Sequence, residues 1–482
     1  MSTVQRIAKN AAVLYGAWIV GAILSLVLTV FVARILGDAI YGKYTFALVF
    51  TGLFGVLTNL GMNELLIREV ARDKSKASKY LGNIVIIRLI LSLIVLALIA
   101  LAINQMNYPP DTVTAVYIFG GYTILTSLAA IFRVTFRAFE RMECEALVNV
   151  LERIITTSVG LLVLFMGFGL IELAYVFLLA GIVNLFLSSL ICVKRFTKPK
   201  LEIDLDFWKE SIKVAFPFML SNIFVMIYVR IDIVMLSVMK GDAVVGWYNA
   251  AYNLVLAFEP IVFVFMSAVF PVMSQFFVSS KESLKVAYEK SFQYLIMLGL
   301  PISVGGMILA HRIIPFLFGV EFANSIIALQ ILIWACLLLS MYRPMLYMLG
   351  SINRQGTMAL IGGIGALVNV ALNFLLIPKF SYVGAGITTI ITESMVTAAS
   401  WYAISRYFYR LPMHKIIVKP LIASVAMGAI VYFCSQVTSL NLALLVVLGA
   451  ASYFIILYLI KAFSKEDVSL FKQVIKINRR VR

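Results

Sequence analysis

The sequence predicts an all-α integral membrane protein of about fourteen transmembrane helices, arranged as two like halves of six with two more behind them. Three observations carry this. Of 482 residues 62% are hydrophobic and 13% charged, with a mean hydropathy of +1.00; an average soluble domain has roughly 45–50% apolar and 25% charged residues. Apolar runs long enough for the ~20-residue span of a bilayer fill nearly the whole chain, and no polar stretch reaches the ~50 residues of an independent domain. The third observation is a phrase that occurs twice, 204 residues apart, each time after a long apolar run: Gly37-Asp38-Ala39-Ile40-Tyr41-Gly42-Lys43-Tyr44 and Gly241-Asp242-Ala243-Val244-Val245-Gly246-Trp247-Tyr248. Five of the eight positions are identical, and a duplicated helix bundle is the simplest cause. Like halves meeting near the midplane build the sites of many transporters, so the repeat points at transport.

Taken in order, spans are expected over residues 10–36, 43–65, 80–103, 113–136, 146–167, 171–193, 214–239, 245–272, 287–310, 324–349, 357–378, 383–405, 416–436 and 441–461. The first run is about 27 residues long and lacks a small-residue cleavage site, so it reads as a retained helix. The organisation that follows is an N-terminal six-helix lobe (1–196), a cytoplasmic connector (197–213), a C-terminal six-helix lobe (214–410), two extra helices (411–463) and a basic tail (464–482). In the connector, Pro199, Glu202, Asp204 and Asp206 precede Trp208, an aromatic ring suited to the membrane interface. The tail places Val468, Phe471, Val474 and Ile475 at helical spacing among Lys and Arg; an amphipathic helix on the inner leaflet and a solvated end both fit.

A net charge of +17 raises the question of nucleic acid, and the placement of the cations answers it. Alternate loops collect about thirty Lys and Arg on one side, and the other side receives only Lys43, Lys240, Arg312 and Lys379. This skew is the positive-inside pattern, which puts both termini in the cytoplasm of a multi-pass cell-membrane protein. The basic balance serves topology and attraction to anionic lipid heads, so no nucleic-acid partner is expected.

Four cysteines (Cys144, Cys192, Cys336, Cys434) stand far apart, and only His311 and His414 are present, so neither a disulfide framework nor a metal centre is expected. Gly37 to Lys43 matches part of a phosphate-binding G-x-x-x-x-G-K loop. Tyr44 follows where Ser or Thr should, a membrane helix precedes in place of a strand, and the second copy has Trp247 where Lys should be. A glycine-permitted tight turn explains both copies. No bound cofactor is expected. The outer loops are short, the longest being Asn104 to Thr112, which argues against a membrane glycosyltransferase.

Ionisable residues within spans carry the functional signal, because each costs ~2.5 kcal/mol or more at the bilayer centre unless paired or facing water. They are Arg34, Arg88, Arg133, Glu152, Arg153, Arg230, Asp232, Glu259, Arg343 and Glu393. Arg230 and Asp232 lie mid-span, as cavity lining or as a structural ion pair. Arg88 and Arg343 fit a phosphate-binding role and equally a snorkelling one. Glu152 and Arg153 are adjacent, so they point to different helix faces and one should pair with a neighbouring helix. The ladder Arg133, Arg137, Glu140, Arg141 reads foremost as a solvated rim. Asp232, Glu259 beside Pro260, and Glu393 are candidates for coupling to a proton or sodium gradient, against a reading as satisfied structural acids. Asn249 with Asn253, and Asn369 with Asn373, sit one turn apart and suit helix-to-helix hydrogen bonds. Pro217, Pro260, Pro301 and Pro344 are placed to kink spans of the second half.

Lys9, the stretch Arg34-Ile35-Leu36-Gly37-Asp38-Ala39 with Tyr41-Gly42 and Tyr44, Asn59-Leu60-Gly61-Met62 leading to Ile67-Arg68-Glu69, and Gly384-Ala385-Gly386 stand in a 6+6+2 arrangement. With them the chain resembles, over its whole length, the Wzx-type polysaccharide-export branch of the multidrug/oligosaccharidyl-lipid/polysaccharide (MOP) flippase superfamily. The resemblance implies a MATE-like fold, a V-shaped pair of lobes around a cavity. It implies alternating-access transfer of an undecaprenyl- or dolichyl-pyrophosphate-linked oligosaccharide to the outer leaflet, with polysaccharide-assembly proteins as further partners. The cationic lumen of relatives maps by topology onto Arg34, Arg88, Arg230 and Arg343. Drug-exporting relatives often hold an acidic residue in the first helix, and none lies between Asn10 and Leu36. Organic-cation antiport is therefore the alternative less favoured, and peptidoglycan-precursor flippases are the nearer competitors.

Overall fold

The computed structural model of the chain describes residues 3–437 and 440–462, to which all structural statements refer; the expected tail helix at 464–482 lies outside them. Their regular structure is helical: α1 Thr3–Asn59, α2 Met62–Arg72, α3 Ala77–Gln105, α4 Pro110–Ala138, α5 Met142–Phe165, α6 Leu170–Arg195, α7 Leu205–Lys240, α8 Asp242–Leu256, α9 Glu259–Ser279, α10 Lys281–Leu317, α11 Ser325–Leu332, α12 Trp334–Ser351, α13 Gln355–Tyr407, α14 Met413–Val437 and α15 Leu442–Leu459, with two short 3-10 turns. In hydrocarbon every backbone N–H and C=O must find a partner within the protein, and a helix supplies it locally.

Among the described residues, twelve helices are long and apolar enough to cross a membrane. Fourteen spans were expected, and the difference arises at two places. Val13–Asn59 and Gln355–Tyr407 run for 47 and 53 residues, about twice a bilayer's need, and each is interrupted by one non-helical residue: Gly37 (φ 78, ψ 173) in α1 and Ser381 (φ 55, ψ −137) in α13. Gly37 adopts its left-handed φ without a Cβ penalty. Past Ser381, a Cβ on Gly384 would lie 2.5 Å from the Leu376 carbonyl oxygen, so a glycine there lets the second arm of α13 fold close to the first. The expected eighth span is broken between α8 and α9 at Ala257 and Phe258, and α9 restarts at Glu259-Pro260, a position where proline's missing N–H costs nothing.

Packing divides the chain into two compact units. Among the described residues, one comprises 3–260, 317–325 and 362–388; the other comprises 261–316, 326–361, 389–437 and 440–462. In the first, α4 lies against α6 and α1, and α1 also against α5 and α8. Its core at the expected inner end joins Leu65, Leu66 and Val70 of α2 to Leu81 and Ile84 of α3 and Ile131 and Phe136 of α4. In the second unit, α14 and α15 dock on α10: Val304 and Leu309 meet Met427 and Val431, and Tyr453 donates to the Met297 carbonyl at 2.9 Å.

The connector is clasped to the start of α3. Ser78 donates to the Lys198 carbonyl (2.7 Å), and the Lys200 amide donates to that of Ser78 (3.1 Å). Gly82 leaves room for the Lys200 carbonyl, which would stand 1.8 Å from a Cβ there. Asn83 Oδ1 accepts from the Asp204 amide (3.2 Å) and from Trp208 Nε1 (2.8 Å), and Lys79 pairs with Asp204 at 2.7 Å. Asp204 also caps α7 by accepting from the Phe207 amide. Asn83→Ala orphans two donors and is expected to loosen the connector by about 1–3 kcal/mol, read as faster hydrogen exchange at Asp204 and Trp208. The hydrogen bond from Lys79 is the first cause holding the Asp204 carboxyl below the usual carboxylate range. Because the folded value is the lower one, this contact contributes at every pH above the ~3.9 of a free aspartate and is lost as pH falls through the folded value. After correction for intrinsic rates, connector exchange is expected to be flat between about pH 7 and pH 5 and to rise only in stronger acid.

Candidate substrate-binding site

The two copies of the duplicated phrase meet each other. A Cβ on Gly42 would lie 1.8 Å from the Asp242 carbonyl oxygen, and one on Gly246 would lie 2.3 Å from that of Asp38; the two approaches are equivalent contacts related by the 204-residue offset. Asn249 donates to Thr45, its own counterpart 204 positions earlier, at 3.0 Å, and to the Tyr41 hydroxyl at 2.7 Å; Asn253 also donates to Tyr41 at 2.9 Å. The expected helix-bonding role of Asn249 and Asn253 thus acquires a named acceptor, Tyr41. Trp247 Nε1 donates to Asp38 Oδ2 at 2.7 Å, and Lys43, its counterpart, pairs with Asp111 at 2.5 Å. Lys43 is therefore a surface ion-pair partner, and Gly37 turns the chain between two helix arms, as the tight-turn reading expected. Tyr108 and Ser237 share a hydrogen bond of 2.7 Å beside this junction.

Several buried charges are bound by protein partners. Arg88 is 1% exposed and donates to the Ser127 carbonyl (2.6 Å), Asn59 Oδ1 (2.8 Å) and Asn63 Oδ1 (2.9 Å), which ties α3 to α1, α2 and α4. Arg88→Lys keeps the charge but cannot fork to three acceptors. It is expected to lower the melting temperature in detergent, by about 1–3 kcal/mol for each acceptor left unpaired. Arg133 donates to Asn184 Oδ1 (2.7 Å), Asn184 donates to Glu152, and Tyr122 donates to Glu152 at 2.8 Å. Arg137 holds Glu145 through two parallel bonds of 2.6 and 2.5 Å. Asp232, 4% exposed, accepts from the Tyr248 hydroxyl and the Ile233 amide.

The guanidinium groups of Arg153 and Arg230 have no such partner among the described residues. Glu152 uses its face of α5 for the bundle, and Arg153, turned about 100° from it, is exposed; its stem lies 3.4 Å from where a Gly21 Cβ would be. The Arg153 guanidinium makes no hydrogen bond or ion pair among the described residues and stands within electrostatic reach of Tyr44 and Tyr122. Arg230, half-buried on α7, likewise has none and stands within reach of Tyr41 and Asp232. The rings of Tyr41 and Tyr44 stack at 6.2 Å, so α1 carries a pair of phenols flanked by one free cation from α5 and one from α7. Arg34 is exposed, three residues before the Gly37 turn. In the second unit Arg343 and Glu393 are half-buried, both near Tyr342. Glu259 is half-buried at the start of α9. The structure thus gathers Arg230, Asp232 and Arg153 around the α1 arm and leaves Arg88 as a tie between helices. Arg153 was visible in the sequence as an in-span cation; what selects it is the commitment of its neighbour Glu152, which only packing reveals.

Residues 7–277, more than half of the chain, match the family model described as polysaccharide biosynthesis protein. The chain belongs to that family. Two relatives extend the likeness. An uncharacterised membrane protein of Methanocaldococcus jannaschii is 26% identical over 56% of this chain and 55% of its own length. The chain thus spans about half the length of that relative. The second, the probable low-salt glycan biosynthesis flippase Agl15 of Haloferax volcanii, is 23% identical over 83% of this chain and 84% of its own length. Among solved structures, the lipid II flippase MurJ in an inward closed conformation superposes with a TM-score of 0.77 at 16% identity, over 91% of this chain and 96% of that one. An inward-facing multidrug resistance MATE transporter of the MOP superfamily gives 0.65 at 18% identity, over 80% and 95%. At these identities the structures establish the fold, and the family member is an all-helical, multi-pass membrane protein of MurJ and MATE type.

Proposed function

We propose that this family member is a flippase, a transporter and not an enzyme, that moves a polyprenyl-(pyro)phosphate-linked oligosaccharide from the cytoplasmic to the outer leaflet by alternating access for surface glycan synthesis. The observation that carries the reading is the pair of uncommitted guanidinium groups, Arg153 and Arg230, beside the Tyr41–Tyr44 stack. An arginine with no protein partner inside a membrane domain is costly, and a phosphate that accepts two parallel N–H bonds removes that cost. The family and the glycan flippase of Haloferax volcanii supply the substrate class. The lipid-linked glycan and the surrounding membrane lipids are the partners.

In this reading the α1 and α13 arms on either side of Gly37 and Ser381 count as separate spans, which gives six per repeat and two behind, with both termini cytoplasmic. Arg34 and Arg343 receive the anionic head group at other stages of its passage, and Arg88 positions α1, α2 and α4 around it. Asp232 balances Arg230, and Asp232, Glu259 and Glu393 are the candidates for proton or sodium coupling. The test is translocation of a labelled lipid-linked oligosaccharide in vesicles containing the purified chain. Exposure of the label on the far leaflet only when the chain is present supports the reading; exchange of organic cations with no movement of the glycan lipid overturns it.

A further inference from the structure

The first unit contains a hollow of about 520 Å³ between α7 and the first arm of α13, lined by Phe224 and Ile227 on one side and by Ala366, Val370, Ala371 and Phe374 among others on the opposite one. Its lining carries no charged or hydrogen-bonding side chain. The volume falls in the ~300–1,000 Å³ range of ligand pockets. Ala366 and Ala371 are short, which is what opens the space, while Leu367, Phe374 and Leu375 are exposed at its margin. The other face of the same α13 arm is polar and buried: Asn373 donates to Asn369 at 3.0 Å, and both are nearly inaccessible. The arm thus turns its amides into the protein and its apolar stripe toward the hollow.

We propose that this hollow holds the phosphate-proximal part of a polyprenyl tail, and that Arg230 meets the phosphate at its end. The inference rests on the flippase reading for the identity of the lipid but concerns a site that reading does not specify. Arg230 follows Ile227 by one turn of α7, ~4.5 Å along the axis. On its other side Met226 packs toward Gly52 of α1, with its Cε 3.3 Å from the position of a Cβ there. A cation without a hydrogen-bond partner among the described residues therefore stands one helical turn from the lining of an apolar groove, a charge pattern that suits a phosphate on a hydrocarbon chain. Along α13 the lining runs from Ala366 to Leu375, a rise of ~14 Å. An extended tail would pack its first isoprene units against this lining through van der Waals contact, since its reference state is hydrocarbon and not water, with the remainder in the bilayer.

The experiment uses the full chain in lipid nanodiscs and a photoactivatable polyprenyl phosphate that bears no sugar. Labelling is expected in the peptides that contain Phe224–Arg230 and Ala366–Leu375, competed by unlabelled polyprenyl phosphate and not by phosphatidylglycerol. Ala371→Leu and, independently, Ala366→Leu fill the hollow and are expected to reduce labelling about tenfold or more, each judged on protein with the wild-type melting temperature. Arg230→Gln is expected to remove the preference for polyprenyl phosphate over neutral polyprenol. Labelling elsewhere, equal competition by phosphatidylglycerol (an ordinary bilayer-lipid site), or a filled hollow that labels as before would overturn the proposal. No transport is measured, so failure here leaves the flippase reading to its own vesicle test, and failure there leaves the tail site standing on its labelling.

Discussion

Arg230→Ala is expected to lower translocation of the lipid-linked glycan by about ten- to a hundredfold without changing protein abundance. A hydrogen bond to a charged group contributes roughly 1.5–3 kcal/mol, and 1.4 kcal/mol is a factor of ten. Arg230 forms no hydrogen bond or ion pair among the described residues, so its removal orphans no protein acceptor and stability is preserved. Lysine in its place keeps the charge and loses the fork, which predicts an intermediate rate. The contrast with Arg88 makes the result diagnostic: Arg88 is spent on three acceptors, so its loss reduces folded protein first. The measurement is initial flipping rate per mole of folded chain. A rate within twofold of wild type would remove Arg230 from the phosphate site.

Gly42→Ala is expected to have the second large effect, on the closed junction between the repeats. The new methyl group would sit 1.8 Å from the Asp242 carbonyl oxygen, and backbone, not a flexible side-chain tip, must move to admit it. Overpacking of this kind costs about 1–3 kcal/mol. The contacts that depend on the same approach are Trp247 to Asp38 and Asn249 to Tyr41 and Thr45. The expected readout is increased modification, by a membrane-impermeant thiol reagent, of a cysteine introduced at Val244, together with a lower melting temperature. Gly246→Ala should behave alike, since its Cβ would meet the Asp38 carbonyl oxygen at 2.3 Å. Unchanged labelling in both variants would show that the junction tolerates separation without consequence for exposure at that end.

The sequence exposed much of this architecture because a bilayer makes hydropathy almost decisive: a segment of ~20 apolar residues has few places to be other than across the membrane. The helix breaks were legible only in part. Gly37 was marked by its glycine and by repetition, and the break at Ser381 falls between the spans expected at 357–378 and 383–405, although its side chain does not advertise the left-handed φ that makes it. The Ala257–Phe258 break adjoins a visible proline, Pro260. The site was the least legible. Arg88, Arg153 and Arg230 look alike in sequence, each an arginine inside an apolar run, and nothing local says that Asn59, Asn63 and Ser127 converge on the first.

By itself the sequence determined that the chain is a helical membrane protein, that one phrase recurs 204 residues apart, and that arginine dominates its interior charges. These follow from transfer free energies, which are summed residue by residue and need no knowledge of neighbours. Tertiary structure alone decided which charges are consumed by the scaffold and which stay available, and that the repeated phrase is a contact between the halves as well as a turn. Those outcomes depend on partners more than a hundred residues away in sequence, such as Asn249 on Tyr41 and Trp247 on Asp38. Inside a low-dielectric bundle the presence or absence of such a partner changes the energy of a polar group by more than the identity of the group does.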